Sequence, residues 1–415
     1  MKREFITIRQ QETTARIMAS QVDAIRVKDI VKKGVRVYEK GRIGIAGAIG
    51  DVADTALLDS AVQNLSTGIE YPYPLSRDLR DHRNYNEEPM SSQELLSHAE
   101  SILATLREEF PDFSFGECIA ATQSVYQMQN SDGLDLEYRD AEFAVNLVLK
   151  EKQTANLFDG ALICVTRKFD PERFWQFNRT FLEAYRNKVE LPQGEKLPVF
   201  TLGSESLTSF LIRSLNGERY ANGSSIFSGK MGRQLFSERI TLELNRNPLN
   251  NLRPFFDMEG VVLPQDRISL IQQGKLVRVL TDKKTAHLYN LEHTGAGGGE
   301  YDDLPSLDGS RYASLPLTFR TDARDIAAAL KGQPAILALI SSGGDFTPDG
   351  SFAAPVQVGF LFDGERIVGK LPEFTMRSHL NAMLGEDYIG TFDNTAFYLG
   401  DIPSQLQGYY MTIMR

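Results

Sequence analysis

Histidine is the side chain that most often binds a transition metal or moves a proton near neutral pH. This 415-residue sequence has five of them, His82, His98, His287, His293 and His379. No two share a spacing that would place both imidazoles on one helical face to grip a zinc ion. His287 and His293 flank a loop, an arrangement that reads as incidental rather than as a ligand set. Glu300, Asp302, Asp303 and Asp308 form an acidic loop whose oxygens suit a hard cation, but the spacing matches no EF-hand, so a solvated loop is the simpler reading. The run His293-Thr294-Gly295-Ala296-Gly297-Gly298-Gly299-Glu300 lacks both the Gly-Lys-Ser/Thr ending of a P-loop and the G-x-G-x-x-G of a dinucleotide site. Its glycines suggest a flexible segment lining a cleft. Cys118 and Cys164 each sit in an apolar strand-like setting and read as buried, inert thiols. His98 falls on a helix, His82 in a loop, and His379 has no visible partner. A general base made of His293 oriented by Glu300 or Asp302 is the one hydrolytic constellation left, and no G-x-S-x-G elbow accompanies it.

Composition bounds the rest. The net charge of −10 and a longest basic run of Lys32-Lys33 argue against direct nucleic-acid binding, which rests on clustered Lys and Arg. Apolar residues make up 42% and charged residues 24%, the balance of a globular chain with two or three domains. The N-terminus reads as no signal peptide and no stretch is apolar enough to span a membrane. Two cysteines make no disulfide framework, which fits a reducing compartment. The expectation is a soluble, acidic, cytoplasmic protein with no cofactor assigned by its residues.

The elements that must position any site are antiparallel. Residues 4–47 read as strands, with Gly34–Ala46 a hairpin about a glycine-containing turn. Asp51–Leu65 has helical apolar spacing, and Thr67–Pro89 is polar enough to be a surface loop. Ser91-Ser-Gln-Glu94 is a capping box opening a helix over 92–109, buried through Leu95, Ala99, Ile102, Leu103 and Leu106. Strands follow around Phe113–Gln129, Gly133–Val148 and Gly160–Lys168, then a helix over 171–187 that holds Trp175. Leu191–Pro198, with two prolines and a glycine, marks a linker between a domain at 1–190 and a β-rich one at 199–415. In the second half, hairpins turn at Gln272–Lys275 and Asp363–Gly364, and a helix spans 321–332 with Thr321 as N-cap. The fold class is therefore α+β, two domains of antiparallel sheet and hairpins with amphipathic helices.

Phe256-Asp257-Met258-Glu259-Gly260-Val261, the hairpin Arg267–Leu280 and the loop His293–Glu300 occur in an order that resembles the TldD/PmbA (TldE) family of metallopeptidase-related "modulator of DNA gyrase" proteins. Ser225–Gly232, Gly343–Phe352 and Ile389–Asn394 add further echoes, and the resemblance covers most of the chain. It implies an HExxxH helix in the catalytic, TldD-type members, where two imidazoles hold zinc, the glutamate activates water and a C-terminal cysteine completes the shell. Counting back from Ser225 places that motif near Thr208, Ser209 and Arg213. Leu197–Tyr220 has no histidine and Thr395–Arg415 no cysteine. The resemblance thus implies a PmbA/TldE-like, non-catalytic subunit that pairs with a TldD-like chain or with itself and acts in proteolysis or peptide maturation. The alternatives are the metal-independent hydrolase at His293, Glu300 and Asp302, and a homodimeric peptide-binding protein.

Overall fold

The computed structural model describes residues 1–415 except 87–88, 156–157, 204, 308–314, 323, 342 and 402–403. Its first half is one large sheet. The strands are β1 (Lys2–Met18), β2 (Gln21–Glu39), β3 (Arg42–Ile49), β4 (Leu79–Tyr85), β5 (Phe113–Asn130), β6 (Leu134–Glu151) and β7 (Gly160–Thr166). They run in the order β3-β2-β1-β5-β6-β4, with β7 also paired to β6. Strands β1 and β2 pair from Lys2↔Tyr38 to Met18↔Gln21, with one register shift between Arg16 and Ile17. Helices α1 (Asp54–Asn64), α2 (Ser92–Glu109) and α3 (Pro171–Arg186) pack on this sheet. The α2 capping box forms as expected: Glu94 N–H donates to Ser91 Oγ while Ser91 N–H donates to Glu94 Oε2, and all five expected apolar residues of α2 are buried.

The polar stretch 67–89 is where sequence reasoning fails. It contains β4, parallel to β6 from Leu79↔Leu134 to Tyr85↔Asp140, and Tyr71 and Leu75 are buried. Leu-Arg-Asp-His-Arg-Asn-Tyr carries no apolar alternation because ion pairs, not an apolar face, fix it: Arg83 to Asp81 and Asp266, and His82 Nε2 to Asp135 Oδ1 at 3.0 Å. His82 is thus on a strand, with a partner. His379 is also engaged, its ring bonding Asp349 O and Asn381 N. Cys164 is fully buried as expected, whereas Cys118 is only half-buried.

The second half holds β8 (Lys196–Leu202), β9 (Leu242–Asn245), β10 (Arg267–Gln272), β11 (Lys275–Leu276), β12 (Leu317–Phe319), β13 (Ala335–Ser341), β14 (Asp345–Phe346), β15 (Ser351–Phe362), β16 (Ile367–Lys370), β17 (Phe374–His379), β18 (Tyr388–Asp393) and β19 (Gln405–Met414). The first of these strands starts inside the span read as a linker. Strands β9 to β12 make a small sheet. The others close a ring, β13-β8-β19-β17-β15 and back to β13, with β14, β16 and β18 attached, which leaves the ring strands few free edges. Short helices α4 (Glu205–Leu215), α5 (Gly217–Ala221), α6 (Lys283–Tyr289), α7 (Ile326–Leu330) and α8 (Leu380–Met383) flank it. The two halves share one core: Leu149 and Phe181 belong to the same buried cluster as Phe360, Phe362 and Leu406. No helix among the described residues is long and apolar enough to cross a membrane.

The helix expected over 321–332 is shorter, because Asp325 rather than Thr321 caps it by accepting from Ala328 N–H. Asp322 instead binds Arg239 and Arg324. Partial burial of Asp322 works against ionisation, but these guanidiniums hold its carboxyl down at about 2, against an ordinary 3.8. The folded pKa lies below the unfolded one, so this contribution is fully present above about pH 4 and is lost as pH falls through about 2. Asp322→Asn should therefore destabilise the protein at pH 6, with the gap to wild type closing in urea melts between pH 4 and 2. A gap constant over that window would refute the assignment.

Candidate functional site

Helix α4 carries Thr208, Ser209 and Arg213, the three positions where zinc ligands are expected from the family resemblance. It buries Leu207, Phe210, Leu211 and Leu215 and leaves these three half-buried on its other side. None offers an imidazole, thiolate or carboxylate, so the helix does not fit a zinc ion. Ser209 does face a cavity, a groove of about 550 Å³ between the ends of β8 and β13. Thr208 and Arg213 do not line it.

The groove follows from a break in pairing. Strands β8 and β13 run parallel for three pairs, Val199↔Ile336, Phe200↔Leu337 and Thr201↔Ala338. The register of β13 against β15 then shifts between Ala338 and Ile340, the mark of a bulge, and the pairing of β13 with β8 ends at Ala338. Thr201 and Leu202 are left facing Leu339 and Ile340 across the gap, with Phe352 and Met376 among the apolar lining. Ser206 Oγ donates to Gly344 O at 2.8 Å and anchors the mouth. Thr201 Oγ1 is buried and has no hydrogen-bond partner among the described residues. A buried hydroxyl without a partner carries a desolvation penalty that a polar ligand group would relieve. The groove offers hydroxyls, the Asp345 carboxylate and apolar contact beside the ends of two strands.

The glycine-rich loop is not the flexible cleft lining expected from its composition. Thr294, Gly295, Ala296 and Gly297 are buried, while His293, Gly298 and Gly299 are half-buried. Thr294 Oγ1 accepts from Thr281 N–H, Gly295 O accepts from Arg246, and Gly298 pairs with Ser306. Gly297 N–H donates to Asp257 Oδ2 at 2.9 Å. A Cβ on Gly297 would lie 2.6 Å from Glu259 Cγ, so the close approach requires glycine. These hydrogen bonds to fixed partners explain why the loop is packed.

His293, Glu300 and Asp302 do not assemble a general base. His293 Nε2 lies 3.3 Å from Glu259 Oε2, whereas Glu300 reaches Lys32 at 3.9 Å and Asp302 lies against Gly47. Asp308 lies outside the described residues. Asp257, Glu259 and His293 are the one His/Cys/Asp/Glu group among the described residues close enough to share an ion. Their oxygens are already taken. Asp257 accepts from the N–H groups of Glu259, Val261 and Gly297. Glu259 accepts from Tyr71 OH at 2.8 Å and from Lys283 N–H at 2.9 Å. Burial pushes the Glu259 carboxyl above its usual range, and the His293 contact pulls the other way. The trio is therefore a buried junction that ties the glycine-rich loop and α6 to Tyr71 of the first half. The sequence segment containing Asp257 and Glu259 was conspicuous, but nothing in it reveals a partner 34 residues away.

Comparison with known proteins agrees with this architecture. Residues 201–405 match a family model described as the PmbA/TldA metallopeptidase C-terminal domain. An uncharacterized protein of Methanocaldococcus jannaschii is 21% identical over 88% of this chain and 86% of its own. Among solved structures, TldE from Thermococcus kodakarensis superposes with a TM-score of 0.73 at 17% identity, covering 100% of this chain and 97% of its own. A Thermotoga maritima protein described as a modulator of DNA gyrase gives 0.74 at 16%, covering 99% and 96%. Residues 201–405 therefore belong to the PmbA/TldA metallopeptidase C-terminal domain family, and the chain shares the fold of TldE over its whole length.

Proposed function

We propose that this chain is a metal-free, peptide-binding member of its family that acts in proteolysis or peptide maturation beside an HExxxH-bearing, TldD-like subunit. The observation that carries the reading is the wall of the groove: Ser209 stands where the resemblance expects a zinc-binding helix, beside the orphaned Thr201 hydroxyl and two splayed strands. An extended peptide commonly binds by adding its main chain to a free strand edge, with side chains settling in alternate pockets. The β8-facing edge of β13 beyond Ala338 is such an edge. The chain would then shape a peptide channel while its partner supplies the metal. With self-pairing instead, it would be a homodimeric peptide-binding protein, in keeping with an acidic protein of the cytoplasm and without direct nucleic-acid binding.

Peptide cleavage assays on the isolated chain, a TldD-like subunit and their mixture test this directly. The expected result is no chelator-sensitive cleavage by this chain alone and a rate in the mixture at least several-fold above the subunit alone. Robust chelator-sensitive cleavage by the isolated chain would overturn it. Sedimentation of the pure chain separates self-pairing from dependence on the partner.

A further inference from the structure

A second cavity, of about 840 Å³, sits where the end of β6, the segment after α3 and the end of β16 meet, and it shares no lining residue with the peptide groove. The backbone brings two of its cations together. Lys370 N–H donates to Asn187 O at 2.7 Å, and Lys370 O accepts from Val189 N–H at 2.9 Å, so Lys188 and Lys370 stand side by side in a parallel bridge. Their ammoniums lie 4.5 and 3.9 Å from the ring centroid of the buried Tyr185. Lys188 is paired with Glu151 at 3.3 Å, whereas Lys370 makes no carboxylate ion pair among the described residues. The half-buried Lys370 ammonium donates instead to the Tyr185 hydroxyl, a neutral acceptor. Arg415, at the cavity wall, also meets neutral oxygens, Gln193 Oε1 at 3.4 Å and Pro192 O at 2.7 Å. A half-buried ammonium with only neutral partners carries a desolvation cost that an anion would relieve.

We propose that this cavity binds a small apolar carboxylic acid, either free or as the C-terminal residue of a peptide, with its carboxylate on the Lys370 ammonium. An ammonium has three N–H donors, and the Tyr185 hydroxyl takes one of them. Arg415 adds a second positive group to the lining. Val189, Leu191, Leu371 and Pro372 give the rest of the ligand an apolar wall. That combination, apolar walls with a few polar groups to fix orientation, is the usual make-up of a small-molecule site of this volume. The charge balance favours a carboxylate over a phosphate dianion. Glu151, Glu190 and Glu373 line the cavity beside Lys188, Lys370 and Arg415. A dianion would leave the larger excess of negative charge there, and the apolar wall would offer it nothing.

The test is calorimetric titration of the full-length protein at pH 7 with 4-methylpentanoate, with a short peptide ending in leucine, with the amide of each, and with inorganic phosphate. Saturable binding of at least one of the two acids is expected, and the tighter of them identifies the source. Amidation should weaken that binding at least ten-fold, because it removes the charge that the ammonium recognises. Lys370→Met, which keeps most of the side-chain length, should weaken it as much. Lys168→Met, an exposed lysine outside the cavity, should leave it unchanged. A thermal melt verifies that both variants fold, and the comparison of acid with amide on the wild-type protein needs neither of them. Four results would each overturn the proposal: no saturable binding of either acid at millimolar concentration, equal binding of acid and amide, full affinity in folded Lys370→Met, or phosphate binding tighter than both acids.

Discussion

Arg36→Ala should cost the fold about 3–5 kcal/mol, because it leaves a buried carboxylate without its counter-charge. Arg36 is 0% exposed and Glu4 1%. Nη1 of Arg36 lies 3.3 Å from Glu4 Oε2 and 2.6 Å from Met258 O, and Nη2 donates to Asp303 O at 3.2 Å. The arginine therefore joins β2 to the two segments that carry Asp257 and the exit of the glycine-rich loop. Without it, Glu4 keeps one donor among the described residues, Tyr38 OH at 3.0 Å. The junction is already under-satisfied, since Arg36 Nε and Glu4 Oε1 have no hydrogen-bond partner among the described residues. That shortfall makes a second result expected. The double variant Glu4→Leu/Arg36→Met, which removes both charges and keeps much of the volume, should recover most of the loss, because desolvation of a buried pair consumes much of its attraction. Urea denaturation midpoints decide it. A single-variant loss below about 1 kcal/mol, the range of exposed pairs, would show that the contact contributes little.

What the sequence makes legible is what depends on neighbours along the chain. The Ser91–Glu94 box and the apolar face of α2 are local signals, and both form. The Gln272–Lys275 turn joins β10 to β11, and the Asp363–Gly364 turn joins β15 to β16. Strand β4 is not legible, because side-chain ion pairs rather than apolar alternation hold it. The closed ring is hidden for a different reason: β13 must meet β8 and β15 on opposite edges, and the β8 pairing joins residues more than a hundred positions apart.

The site divides the same way. That Thr208, Ser209 and Arg213 of α4 carry no imidazole, thiolate or carboxylate is readable from residue types alone. That Thr201 is an orphaned hydroxyl in a groove is not, since in sequence it is one more β-branched residue of a strand. Glycine content, by contrast, is ambiguous. It signals freedom in a loop with no partners and close approach in one that packs. Asp257 and Glu259 decide for packing here.

Gly34→Ala should be among the most damaging single-methyl additions in the molecule. Gly34 lies in β2 directly opposite Gly47 of β3, and the chain leaving the glycine-rich loop crosses both. A Cβ on Gly34 would lie 1.9 Å from the Tyr301 carbonyl oxygen, and one on Gly47 would lie 2.3 Å from Asp302 Cβ. The obstacle at Gly34 is main chain, so no rotamer change relieves it, and either β2 or the 300–303 segment must move. Overpacking of this kind costs about 1–3 kcal/mol and at times more, and a backbone obstacle puts this case at the upper end. Gly116 of β5 gives the control, because its added Cβ would meet nothing closer than Ile17 O at 3.7 Å. Gly116→Ala should therefore change stability by about 1 kcal/mol or less, since ordinary contact adds no strain. Equal effects of the two substitutions would mean that strand glycine itself, not the crossing, sets the cost. Unequal effects identify the paired glycines as the seat on which the 300–303 segment is held against the first sheet.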